Sequence, residues 1–166
     1  MANRGKKFES EFKDGLERCG CYAMRIPDKL IWAKNRLVSQ ETPADYVAYF
    51  SHGGKTIPIM AECKATSQNR LDFAKLQEHQ RKALQDFDAF SPDTVAVVAA
   101  NYYDISNLRA LNRCFIIPIS VWDEYADKGD RKSLPMKSCV DDDRIIECDR
   151  CKGSTYDMAA WLSTLV

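Results

Sequence analysis

Residues 45–64 read DYVAYFSHGGKTIPIMAECK, and the parsing of this stretch decides the fold. Gly53-Gly54 divides it, because two adjacent glycines can take positive φ at both positions of a two-residue hairpin turn. Asp45–Ser51 and Thr56–Lys64 then read as antiparallel strands. With the glycines as the loop, His52 pairs with Lys55, Phe50 with Ile57, and Asp45 falls opposite Glu62. Side chains alternate along a strand, so Ile57, Ile59, Ala61 and Cys63 point into a core while Glu62 and Lys64 share the other face. Directly opposed residues have Cβ atoms ~4.5–5.5 Å apart. Two carboxylates that close repel unless a cation lies between them. Hard oxygen ligands converging in this way suit Mg²⁺, which keeps waters and accepts substrate phosphate oxygens. Lys64 is placed to stabilise charge developing on a phosphoryl group or to orient an attacking water. An exposed strand end carrying a merely solvated Glu and Lys is the competing reading.

Outward from the hairpin, Phe8, Phe12, Leu16 and Cys19 recur at helical spacing, which predicts an amphipathic helix over 4–19 ended near Gly20. Cys21–Ile26 reads as a short strand stopped by Pro27. Residues 28–43 are mixed and basic, a connection or small protrusion. The spacing predicts a second helix over 73–88, with Phe73, Leu76, Ala83, Leu84 and Phe87 as its apolar stripe. Gln80 falls inside that stripe and must find a partner, since a buried amide without one costs ~1–3 kcal/mol. Glu9 flanks the Phe8/Phe12 stripe and is a candidate third carboxylate, or an ordinary surface glutamate. Thr94–Ala100 is a continuous apolar run, the pattern of a strand covered on both faces. A strand over Arg113–Ile119 and a short helix around Val121–Ala126 complete the order α-β-β-β-α-β-β-α, and a strand at Arg144–Cys148 and a helix over 157–165 follow it. That is an α/β protein with a mixed sheet.

The 166 residues fit one domain, 1–166, with 128–166 as a C-terminal extension, and the 45% hydrophobic and 29% charged content is that of a globular protein. No apolar run approaches the ~20 residues of a bilayer span, and the polar start lacks a signal-peptide core. The expectation is a cytoplasmic protein without a membrane partner. Seven cysteines, several inside apolar segments, read as free thiols. Cys148-x-x-Cys151, with Cys139, is an incomplete zinc ligand set. Net charge is zero, yet residues 1–36 carry nine Lys/Arg against five acids, while 121–166 carry seven against ten. A basic N-terminal segment can meet phosphates. Its candidates are Arg4, Lys6, Lys7 and Arg25, followed by Lys29, Trp32, Lys34 and Arg36 in the protrusion, where Trp32 either stacks on unpaired bases or packs under the loop.

Pro43-Ala44-Asp45, sixteen residues and then Glu62-Cys63-Lys64 resemble the PD-(D/E)xK nuclease motif. Asn3-Arg4-Gly5-Lys6-Lys7-Phe8-Glu9, Glu78-His79-Gln80 and Arg131-Lys132-Ser133-Leu134-Pro135 resemble, in the same order, segments of RecU-type Holliday junction resolvases. The resemblance implies a restriction-endonuclease-like mixed β-sheet flanked by α-helices. It also implies a homodimeric, Mg²⁺-dependent enzyme, with Mn²⁺ as substitute, that nicks opposed strands of a four-way DNA junction symmetrically. Asp45, Glu62 and Lys64 match the catalytic positions, Glu9 the helix-one acid and Gln80 the supporting glutamine. Asp45 and Glu62 would be direct metal ligands, Glu9 an outer or water-mediated one. Two departures stand out: residues 28–43 are shorter than the family's junction-entering protrusion, and Pro-Ala replaces the polar pair usual before the aspartate. A duplex-cutting restriction or repair endonuclease of the superfamily, and a non-cleaving DNA-binding protein on the same scaffold, remain as alternatives.

Overall fold

The structure, a computed structural model, describes residues 3–33, 36–153 and 155–166, with side chains described except at 29–33, 37 and 39. Helix α1 (Arg4–Arg18) opens at Asn3, whose side chain accepts from the Gly5 N–H at 3.1 Å. Its Phe8, Phe12 and Leu16 are fully buried, as the spacing predicts. Strand β1 (Tyr22–Arg25) leads to a hairpin of β2 (Lys29–Ala33) and β3 (Arg36–Gln40), so the expected protrusion is a small β-ribbon.

Strands β4 (Tyr46–His52) and β5 (Lys55–Thr66) follow, paired from Tyr46↔Ala61 to His52↔Lys55. This is the register of a two-glycine turn, and Gly53 and Gly54 indeed take φ of 57° and 80°. After β5 come β6 (Arg70–Asp72), a 3₁₀ turn (Phe73–Lys75) and α2 (Glu78–Asp88). The single helix expected over 73–88 is therefore corrected. β6 pairs with a later strand, and Leu76 and Gln77 stay extended, so α2 starts only at Glu78. The apolar stripe survived this break because Phe73, Leu76 and Leu84 all still reach one core.

The remaining elements are β7 (Val95–Tyr103), β8 (Asn112–Pro118), α3 (Ile119–Asp127), β9 (Ser133–Pro135), α4 (Met136–Asp141), β10 (Ile146–Cys148), β11 (Arg150–Cys151), β12 (Thr155–Tyr156) and α5 (Ala159–Ser163). The main sheet has six strands in the order β1-β4-β5-β7-β8-β10. Only β5 and β7 run parallel; the other neighbours are antiparallel. The protein is thus a mixed α/β fold with a six-stranded mixed sheet packed against helices.

Each sheet face has its own core. On one face Phe8, Phe12 and Leu16 of α1 and Trp161 and Leu162 of α5 pack on Ile57, Ile59, Ala61, Val97 and Ala99. On the other, Leu84 of α2 and Trp122 of α3 pack with Leu71 and Leu134 on Val98, Ala100 and Ile117. β7 lies between them, and Ala96–Ala100 are at most 1% exposed. α1 approaches the C-terminal segment so closely that a Cβ on Gly15 would lie 2.6 Å from the Tyr156 carbonyl oxygen, which only glycine permits. Among the described residues, no helix is long and apolar enough to cross a membrane.

Candidate active site

Asp45 stands one residue before β4 begins to pair. Its Oδ2 accepts the Cys63 backbone N–H at 2.8 Å, which pins the carboxylate against the C-terminal half of β5. Glu62 and Lys64 lie on the sheet face covered by α2. Lys64 Nζ donates to Glu62 Oε1 at 2.6 Å, and Gln80 Nε2, from the first turn of α2, donates to the same oxygen at 2.7 Å. Gln80 Oε1 accepts from Lys64 Nζ at 3.2 Å and from the Gln77 N–H at 3.1 Å. With both of those donors facing its oxygen, the Gln80 amide has one satisfied orientation, nitrogen toward Glu62. A glutamine on the inward face of a helix has thereby found three partners at once.

Glu62 is only 2% exposed, and its second oxygen, Oε2, has no hydrogen-bond partner. Burial first, and then the charge of Asp45, push its pKa up to about 7, against the opposing pull of Lys64 and Gln80. Asp45 is also raised, by its own burial, with the Cys63 N–H and Lys64 acting the other way. An orphaned carboxylate oxygen beside a second desolvated carboxylate is a position that a proton or a cation must fill. Two carboxylates with water and substrate oxygens completing the shell are what Mg²⁺ takes. Asp45 and Glu62 therefore fit such an ion.

Glu9 is less closely joined to them. It is half-buried on α1, its Oε2 lies 3.7 Å from Arg25 Nε, and its pKa is raised by burial and then by the charge of Asp45. Among the described residues no three His, Cys, Asp or Glu side chains are gathered into a metal-holding cluster. The structure thus brings Asp45, Glu62, Lys64 and Gln80 together, and Glu9 lines a cleft of about 310 Å³ with Lys6, Lys13, Arg25 and Tyr46, the residue after Asp45.

The expected DNA contacts divide sharply. Lys6, Lys7, Arg25 and Arg36 are exposed, although Arg25 also reaches Asp28 at 3.2 Å. Lys29 and Trp32 lie on β2 with side chains outside the description, and Lys34 is outside the described residues. Arg4 departs from expectation. It is 9% exposed and spends its guanidinium inside the protein, on Glu11 at 2.9 Å, Asn101 at 3.0 Å and Asn112 at 2.9 Å. A guanidinium held in this way is turned into the protein rather than to its surface. The cysteines expected as thiols or partial zinc ligands are all free. Cys148 pairs across the sheet with Cys114, whereas Cys139 lies by the Tyr102 hydroxyl at 3.6 Å.

Sequence reasoning missed the Cys63 N–H as the group that orients Asp45, since a peptide group carries no residue signature. It also missed that Gln80 caps the start of α2 while serving Glu62, for which the Gln77-x-x-Gln80 spacing was the available signal. The sequence matches no protein-family model and no curated protein.

Proposed function

We propose that this protein is a Mg²⁺-dependent endodeoxyribonuclease with a restriction-endonuclease-like fold, acting as a homodimeric Holliday junction resolvase that places paired symmetric nicks in four-way DNA junctions. The observation that carries the nuclease reading is the unpartnered Glu62 Oε2, buried beside Asp45 and two residues from Lys64. The buried Arg4–Glu11 pair satisfies both carboxylate oxygens, whereas Glu62, raised by burial and then by Asp45, leaves one unmet. Bound Mg²⁺ would supply Lewis-acid polarisation of the scissile phosphate and acidify a water. Asp45 and Glu62 would hold it. Lys64 has three N–H donors, and Glu62 and Gln80 engage it, which leaves donor capacity for a phosphoryl oxygen or the attacking water. Gln80 fixes Glu62 Oε1, so that Oε2 stays directed away from it. Lys6, Lys7 and Arg25 supply cations for the DNA backbone beside the cleft.

A synthetic four-way junction compared with linear duplex of the same arms, in Mg²⁺ or EDTA, tests the proposal. Paired symmetric nicks confined to the junction, dependent on metal and lost in Asp45→Asn, are expected. Cleavage of both substrates alike would remove the junction role, and binding without cleavage would remove the nuclease. One observation favours the duplex-cutting reading: β2 and β3 have five residues each, a ribbon of roughly 17 Å. That is little reach for entering a junction centre.

A further inference from the structure

The strand after the catalytic hairpin does not join the main sheet. β6 pairs instead with β9, Leu71 opposite Leu134, and both leucines are fully buried. The Tyr102 hydroxyl donates to the Leu134 carbonyl at 3.0 Å and the Phe73 N–H to that of Lys132 at 3.0 Å. These bonds hold the backbone of this small ribbon firmly. The apolar part of the Arg131–Pro135 segment thus has a structural use.

Its cations have none. Arg70, Arg131 and Lys132 are exposed, and among the described residues none of the three is ion-paired. Elsewhere Arg81, Arg113 and Arg144 each hold a carboxylate. Residues 128–135 carry three bases and one acid, Asp130, within a C-terminal region that is acidic as a whole. Asp72 is the acid of β6.

Position gives these charges meaning. The ribbon starts beside the catalytic strand: Thr66 Oγ1 donates to the Arg70 carbonyl at 3.1 Å, and Lys75 Nζ to that of Ala65 at 3.1 Å. Leu71 and Leu134 belong to the core on the α2 face of the sheet, while α1 packs on the opposite face. Lys6 and Lys7 therefore stand on the helix that covers one sheet face, and Arg70, Arg131 and Lys132 on a ribbon that packs on the other. A straight duplex lies along one such surface, whereas two duplexes diverging from a branch point meet both.

We infer that the β6–β9 ribbon is a second DNA-backbone surface, which holds through Arg70, Arg131 and Lys132 a different arm of a branched DNA from the arm lying on α1. The inference rests on the nuclease reading for its choice of partner. It makes branch preference a property of the two faces of the fold rather than of the β2–β3 hairpin alone.

The test is a gel-shift titration in EDTA of the triple variant Arg70→Ala, Arg131→Ala, Lys132→Ala against a four-way junction and a linear duplex, over a series of salt concentrations. Junction affinity should fall at least ~10-fold, and the slope of log K against log salt should decrease by about 2–3. Duplex affinity should change less than ~2-fold, as should junction binding by Lys55→Ala, a cation at the opposite end of β5. Equal losses on both DNAs, or no loss on either, would overturn the inference. Binding in EDTA is scored apart from cleavage in Mg²⁺, so a wild type that binds without cutting would sink the nuclease reading and leave this result legible.

Discussion

Gln80 donates to Glu62 Oε1 at 2.7 Å while its own oxygen accepts from Lys64 and from the Gln77 N–H. One amide thus aligns the acid, the base and the start of α2. Gln80→Ala removes a donor from a buried carboxylate, and its cost should appear in catalysis more than in binding. A 10–100-fold drop in kcat, with a higher Mg²⁺ requirement and DNA affinity in EDTA within about twofold, is expected. Gln80→Glu should be worse than Ala, because it adds a carboxylate beside a group already raised by burial and by Asp45. Cleavage rates across a Mg²⁺ series measure both.

Without metal, Glu62 keeps its proton up to about pH 7, whereas an ordinary glutamate releases it near 4.5. The folded state holds more protons than the unfolded state across that window, so stability falls as pH rises through it. Asp45, also raised, acts with the same sign. In EDTA the melting temperature should drop by several degrees between about pH 5.5 and pH 8. Glu62→Gln should flatten that dependence, and Mg²⁺ should restore stability at pH 8 while doing little at pH 5.5. Equal stabilisation by Mg²⁺ at both pH values would contradict the two-carboxylate site.

Much of this arrangement was legible in the sequence, for identifiable reasons. The Gly53-Gly54 turn set the β4–β5 register, and alternation then placed Glu62 and Lys64 on one face. Gln80 was legible because a polar residue inside an apolar stripe demands a partner. What escaped was what depends on distant chain segments. The break between the 3₁₀ turn and α2 follows from β6 pairing with β9, sixty residues on, which no local period reports. Elements as short as β11 and β12, two residues each, carry no period at all. Arg4 was misplaced because an arginine beside two lysines reads as part of a basic surface. Besides Glu11 on the same helix, its partners Asn101, Asn112 and Tyr156 come from the far half of the chain.

Asp45→Asn should abolish cleavage and, at the same time, stabilise the metal-free protein. Asparagine keeps an oxygen for the Cys63 N–H, so the hydrogen bond at 2.8 Å survives, while burial alone is left to raise Glu62 once the neighbouring charge is gone. The variant should melt a few degrees above wild type in EDTA at about pH 8, and Mg²⁺ should shift it little. A variant less stable than wild type under those conditions would mean that Asp45 is held for structure and that its repulsion with Glu62 is minor.

Arg4 and its neighbours on α1 should part company under mutation. The Arg4 guanidinium lies buried against Glu11, and Arg150 reaches that carboxylate at 3.5 Å from the C-terminal segment. Arg4→Ala strands much of this charge in the interior and leaves the Asn101 Oδ1 without its donor. Breaking a buried pair in this way costs ~3–5 kcal/mol, or roughly ten degrees of melting temperature. Since no Arg4 nitrogen faces the cleft, the folded variant at low temperature should bind DNA within about twofold of wild type, with an unchanged salt slope. Lys6→Ala with Lys7→Ala, both exposed, should do the reverse, leaving melting nearly unchanged and lowering the salt slope by about 2. A shallower salt slope for Arg4→Ala would return Arg4 to the DNA surface and would mean that α1 opens on binding, releasing the guanidinium from Glu11.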